Sequence, residues 1–229
     1  MNTKNLIIVP GLSSPFGEAK YRLAYGLLAD EAPIRGYAEV TILALPGQKR
    51  QDGTTHGELS LPTAVECLTE CLNVHEKCGI PYRLLGLSFG GTVCLAAEAM
   101  SGLNHCEKLV LWGPIPLWVA WRAFVRGIYR KGLGTETNLA PDADFYRTCA
   151  PVEHFLHPRD AASASPCQPV RLAAGAKDPV CPPFYLDYLK RLCASVKLGQ
   201  VEVQIVPDCE HNVTRLDKNW QGYLKAVLD

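Results

Sequence analysis

Six short, mostly apolar runs recur along this chain, and helical patterns fill the stretches between most of them. Residues 6–9 read Leu-Ile-Ile-Val, residues 109–112 Leu-Val-Leu-Trp and residues 170–174 Val-Arg-Leu-Ala-Ala. Residues 40–45, 82–87 and 201–206 have similar content. A strand that is apolar on both faces must be covered on both faces. A sheet with one wet side shows strict alternation instead. Helical periodicity falls over residues 17–30, 60–78, 90–100, 183–195 and 217–228. In residues 60–78, Leu61, Val65, Leu68 and Leu72 share one face. Pro62 suits the first turn there, where its missing N–H costs nothing. Strand–helix alternation of this kind specifies an α/β fold with a mostly parallel sheet and helices on both faces.

The 229 residues suit one such domain with an insertion. Residues 113–168 separate two core strands and are far longer than an ordinary connection. They hold six prolines: Pro114, Pro116, Pro141, Pro151, Pro158 and Pro166. The expected organisation is a core of residues 1–112 and 169–229 with an inserted cap at 113–168. Within the cap, Leu117, Trp118, Trp121, Phe124, Val125, Ile128 and Tyr129 share a helical face, and Arg122, Arg126 and Arg130 share another. Two readings stand. The aromatic face packs on the core and the arginines are solvated, or part of that face, with Trp118 and Trp121, lines a substrate pocket or the basic stripe meets an anionic substrate or partner.

Composition narrows the function. The formal net charge is 0, which argues against a general nucleic-acid or anionic-membrane binder. No run approaches the length of a membrane span, and the apolar start at residues 6–9 is too short for a signal sequence. Stable membrane insertion is not expected. The ten cysteines are spread through periodic apolar segments rather than gathered in a short loop-rich chain. They read as reduced, buried thiols of a cytoplasmic protein. Cys67 and Cys71 would share a helix face. No second pair has zinc-like spacing, so the core reading is preferred to a metal site.

The chemistry centres on Gly86-Leu87-Ser88-Phe89-Gly90, a G-x-S-x-G at the end of one apolar run with a small-residue helix behind it. Such a turn holds Ser88 in a strained conformation at the start of a helix, and side chains at 86 and 90 would collide with backbone. Ser88 as a plain helix N-cap is the alternative. A serine hydroxyl needs a base and a group to orient that base. In a parallel sheet both should lie beyond the carboxyl ends of strands. Residues 170–174 lead into Gly175-Ala176-Lys177-Asp178-Pro179, and residues 201–206 into Pro207-Asp208-Cys209-Glu210-His211. Asp178 and His211 are the candidates, although Asp178 could be only a turn-former. His211 alone among six histidines follows a core strand; His56 follows a Gly/Thr turn and could reach the pocket mouth, with exposure the preferred reading. Asp208 and Glu210 are rivals for the acid, but lie too close in sequence to His211 to back it readily.

The order Ser88, Asp178, His211 resembles the α/β-hydrolase superfamily, whose triad runs nucleophile, acid, histidine. Some members place the acid after the strand that follows the elbow helix. Here that position reads Trp112-Gly113-Pro114, with no carboxylate. The resemblance implies a serine esterase or thioesterase with a short cap, acting on a small-molecule ester or thioester. It requires neither metal nor organic cofactor. Backbone N–H groups of Phe89 and Leu12 would receive the oxyanion. Ser13 could add a hydroxyl near the substrate. The family commonly has His-Gly where this chain has Pro10-Gly11, which leaves the backbone donor but alters the loop. Residues 45–48, Leu-Pro-Gly-Gln, also resemble a common family loop. Carbon–carbon bond hydrolysis, acyl transfer to another acceptor, a non-catalytic binding member and a membrane-surface role for the cap remain open. Epoxide and haloalkane chemistry is disfavoured, because those relatives place Asp where Ser88 stands.

Overall fold

Strand β1 (Lys4–Val9) lies inside a six-stranded sheet, with β2 (Tyr37–Ile42) on one side and β3 (Tyr82–Leu87) on the other. Beyond β3 come β4 (Cys106–Trp112), β5 (Val170–Gly175) and β6 (Val201–Val206), giving the order β2-β1-β3-β4-β5-β6 with every pair parallel. The computed structural model describes residues 4–101, 103–114, 169–195, 200–213, 215 and 218–229. The expected cap beyond Pro114, including Trp118, Trp121, Arg122, Arg126 and Arg130, lies outside the described residues.

The central strands are buried on both faces, as continuous apolar runs require. Alternate side chains feed two cores. Ile7, Val9, Leu84, Leu109, Leu111 and Leu172 pack with α2 (Leu61–Cys78), α3 (Phe89–Ser101) and α4 (Phe184–Ser195). Leu6, Ile8, Leu85, Val110, Trp112 and Ala173 pack with α1 (Ala19–Glu31) and α5 (Trp220–Leu228). Helix α2 illustrates the local logic. Ser60 and Thr63 cap each other's backbone at its start, and Gly79 closes it with φ 65°. Leu61, Leu68 and Leu72 are fully buried, which stabilises the fold by roughly 2 kcal/mol each. Cys67 and Cys71 are partly buried on this helix, and Cys71 packs against the core.

Several boundaries differ from the sequence reading: β1 and β4 begin earlier, at Lys4 and Cys106, and β2 and α5 are shifted. Strand β2 covers Tyr37–Ile42, not residues 40–45. It begins earlier because Gly36, at φ 85°, turns the chain out of a short 3-10 helix and delivers Tyr37 to the core. It ends earlier because the Leu45 N–H donates to Gln48 Oε1 (3.0 Å) rather than to a strand. Helix α5 starts at Trp220, not 217. Lys218 and Asn219 form a turn, and Asn219 Nδ2–H donates to the Pro207 carbonyl (2.8 Å).

The strand order places the site. The chain moves outward from β1 to β2 and then returns to β3 on the other side of β1. The loops after β1 and β3 therefore diverge at a topological switch point, where a crevice opens.

Candidate active site

Strand β3 stops at Leu87, and Ser88 takes φ 54° before α3 begins at Phe89. A positive φ on a non-glycine residue costs about 1–3 kcal/mol and persists only where surroundings enforce it. Here the Ser88 N–H donates to the Trp112 carbonyl (2.8 Å), and the Gly91 N–H donates to the Ser88 carbonyl (2.9 Å). The flanking glycines are sterically required. A Cβ on Gly86 would lie 2.6 Å from Gly91 Cα, and one on Gly90 would lie 2.2 Å from the Val9 carbonyl oxygen.

Asp178 and His211 are brought together by backbone packing of two loops. The Lys177 N–H donates to the Cys209 carbonyl (2.9 Å), and a Cβ on Gly175 would meet that same carbonyl oxygen at 2.2 Å. Asp178 is 3% exposed. Its Oδ1 accepts from the N–H groups of Val180 (2.8 Å) and Cys181 (2.7 Å). That leaves Oδ2 for His211 Nδ1, at 2.8 Å. A carboxylate only accepts, so Nδ1 carries the proton and the Nε2 lone pair is left to act as a base. The rival acids point elsewhere: Asp208 pairs with Lys177 on the surface (2.7 Å), and Glu210 is exposed.

Trp112 links the two halves. Its carbonyl receives the Ser88 N–H, and its indole N–H donates to the His211 carbonyl (2.9 Å). The next residue, Gly113, has φ 52°. A Cβ there would sit 2.8 Å from His211 Cε1 and 3.0 Å from Asp178 Oδ2.

Ser88 and His211 line one cavity of about 310 Å³, together with Gly11, Leu12 and Ser13 from the loop after β1. Its far wall is Tyr25 and Leu28 from α1, with Trp112, Val213 and Tyr223. The cavity therefore penetrates the core on the α1/α5 side of the sheet. Burial raises the pKa of the Tyr25 and Tyr223 phenols, which stay neutral at physiological pH. Phe89 is buried behind Ser88 at the first turn of α3. His56 is exposed and takes no part in the lining. Trp118 and Trp121 lie outside the described residues.

Sequence reasoning missed Gln48, Tyr25, Trp112 and Gly113. Gln48 is 1% exposed, and its Nε2 faces the carbonyls of Gly11 (2.7 Å), Leu12 (3.3 Å) and Ser13 (3.4 Å). The one available signal was a glutamine directly after Pro46-Gly47, in the turn that resembles a family loop.

No protein-family model matches the chain, and no curated protein matches it. Solved structures do. A monoacylglycerol lipase from Paleococcus ferrophilus superposes with TM-score 0.68 at 15% identity, covering 100% of this chain and 95% of the other. A soluble variant of the monoglyceride lipase from Saccharomyces cerevisiae gives 0.63 at 18% identity, covering 98% and 85%. An N-formylmaleamic acid deformylase from Pseudomonas putida S16 gives 0.61 at 18% identity, covering 99% and 92%. With the parallel sheet, its order and the turn after β3, the likeness is one of architecture: this protein has the α/β-hydrolase fold.

Proposed function

We propose that the chain is a serine hydrolase that cleaves a carboxylic ester or thioester through an acyl-enzyme on Ser88. The observation that carries this reading is the 2.8 Å bond from His211 Nδ1 to buried Asp178, beside the cavity that Ser88 shares. His211 Nε2 takes the Ser88 proton as Oγ bonds to the substrate carbonyl carbon, and the carbonyl electron pair moves onto oxygen. The N–H groups of Leu12 and Phe89 receive that oxyanion. Collapse of the intermediate breaks the bond to the leaving alkoxide or thiolate, which takes the proton from His211. Water then repeats the sequence and releases the acid. Asp178 keeps the proton on Nδ1 and stabilises the imidazolium.

Support from the neighbours is at the level of fold, and two of them bear lipase names. The largely apolar cavity suits an apolar acyl or alcohol group. Ser13, which lines the cavity beside Ser88, is in reach of such a substrate. The deformylase among the neighbours supports a second reading, in which the same residues hydrolyse a bond other than an ester. Among the described residues no helix is long and apolar enough to cross a membrane. The described cysteines are thiols rather than disulfides, which suits a reducing compartment such as the cytoplasm.

The test is covalent labelling. A fluorophosphonate probe should label the native protein and fail on Ser88→Ala, read by intact-mass spectrometry. Labelling that survives the substitution overturns the assignment.

A further inference from the structure

The loop after β1 is held from behind by a side chain that never reaches the cavity. Gln48 sits on the turn after β2, 37 residues from Gly11, and donates from Nε2 to the Gly11 carbonyl at 2.7 Å. The same Nε2 faces the Leu12 and Ser13 carbonyls. Its Oε1 is fixed in turn by the Leu45 N–H, so the amide cannot swing round without losing both ends. From the other side, the Gly11 N–H donates to the Tyr25 hydroxyl at 3.3 Å. Both peptide planes that meet at Gly11 are thus tied to buried side chains.

A trans peptide is planar, and its C=O and N–H point in opposite directions. Tying the Gly11 carbonyl to Gln48 therefore aims the N–H of the same peptide, which belongs to Leu12, away from Gln48. Gly11, Leu12 and Ser13 line the cavity and Gln48 does not, so away from Gln48 is toward the substrate. Gly11 also packs on the nucleophile: a Cβ there would lie 3.2 Å from Ser88 Cβ. We infer that Gln48 is a positioning residue for the reaction. It holds the Leu12 N–H in the orientation that receives the oxyanion, with Tyr25 as the second tether. This inference rests on the serine-hydrolase reading above.

A donor that is merely nearby stabilises the ground state and the intermediate alike, whereas an aimed one acts on the developing charge. The test compares p-nitrophenyl acetate with its thiono analogue, in which sulfur replaces the carbonyl oxygen and bonds poorly to N–H donors. Gln48→Met keeps the volume and removes both polar ends. Its kcat on the oxygen ester should fall about 30-fold with KM within about twofold, whereas the thionoester rate should change little. Tyr25→Phe should show the same collapse of the oxo-to-thiono ratio, about threefold. If Gln48→Met does not fold, Tyr25→Phe decides by that ratio. An unchanged kcat in a folded variant, or equal losses on both esters, overturns the positioning role while native turnover stands. Absence of Ser88-dependent turnover in the native protein overturns the functional reading, and this one with it.

Discussion

Residues 86–90 and residues 10–14 meet beside Ser88 and are held there by opposite means. The turn after β3 is held by main chain, its own and that of β1 and β4. Gly86 and Gly90 lie against backbone at 2.6 and 2.2 Å for a notional Cβ, and the Gly91 N–H closes the turn on the Ser88 carbonyl. The loop after β1 is held by residues far from it in sequence. Gln48 and Tyr25 tether Gly11, and Ser14 Oγ donates to the Lys49 carbonyl (2.8 Å). A turn defined by backbone contact has no tolerance for added atoms. A loop held by side-chain tethers can lose one of them and keep its course at reduced accuracy. The first arrangement fixes the Ser88 backbone, and the second tunes what surrounds it.

Gly90→Ala tests the first arrangement most severely. Its methyl would meet the Val9 and Pro10 carbonyl oxygens at 2.2 and 2.5 Å, so α3 must separate from β1. Urea unfolding should show a loss of about 4 kcal/mol or more, or no soluble protein. A loss below about 1 kcal/mol would mean that the turn is no more rigid than its neighbour. Gly11→Ala separates the two regions. Its methyl would lie 3.2 Å from Ser88 Cβ and 3.7 Å from Ser88 Oγ, contacts that a small loop shift relieves. Stability should fall by no more than about 1 kcal/mol, while ester turnover drops about 10-fold or more because the hydroxyl is crowded. Equal damage to both would place this loop in the rigid class. Ser14→Ala, the mildest change, removes one tether. It should cost about 1 kcal/mol in unfolding and leave kcat within about threefold.

The same contrast explains what could be read from the sequence. The elbow was legible because its requirements lie within five consecutive residues. Asp178 and His211 were legible because parallel strands deliver loops to one edge, and each follows a strand with a turn signal behind it. Gln48 was not legible. Its role comes from a fold that brings residue 48 beneath residue 11, and a lone glutamine after Pro-Gly has no periodicity to reveal it. The position of β2 differs from the sequence reading for a related reason. The Leu43 N–H still donates to the Ile8 carbonyl of β1, but the Gln48 amide captures the Leu45 N–H and turns the chain away. Trp112 read as an ordinary core residue, and it is one. The indole N–H that ties it to the His211 carbonyl became visible only with β4 and the loop after β6 side by side.

Gly113 has a consequence for the history of such a site. Its Cα lies so close to the Asp178–His211 pair that a first side-chain carbon would be 2.8 Å from the imidazole and 3.0 Å from the carboxylate. In the superfamily it resembles, this strand end is an alternative seat for the acid. A single replacement putting aspartate at 113 would arrive in occupied space and disrupt the histidine before it could support it. Transfer of a carboxylate from 178 to 113 therefore cannot begin at 113: Asp178 and the His211 ring must first leave the space that any side chain there would occupy.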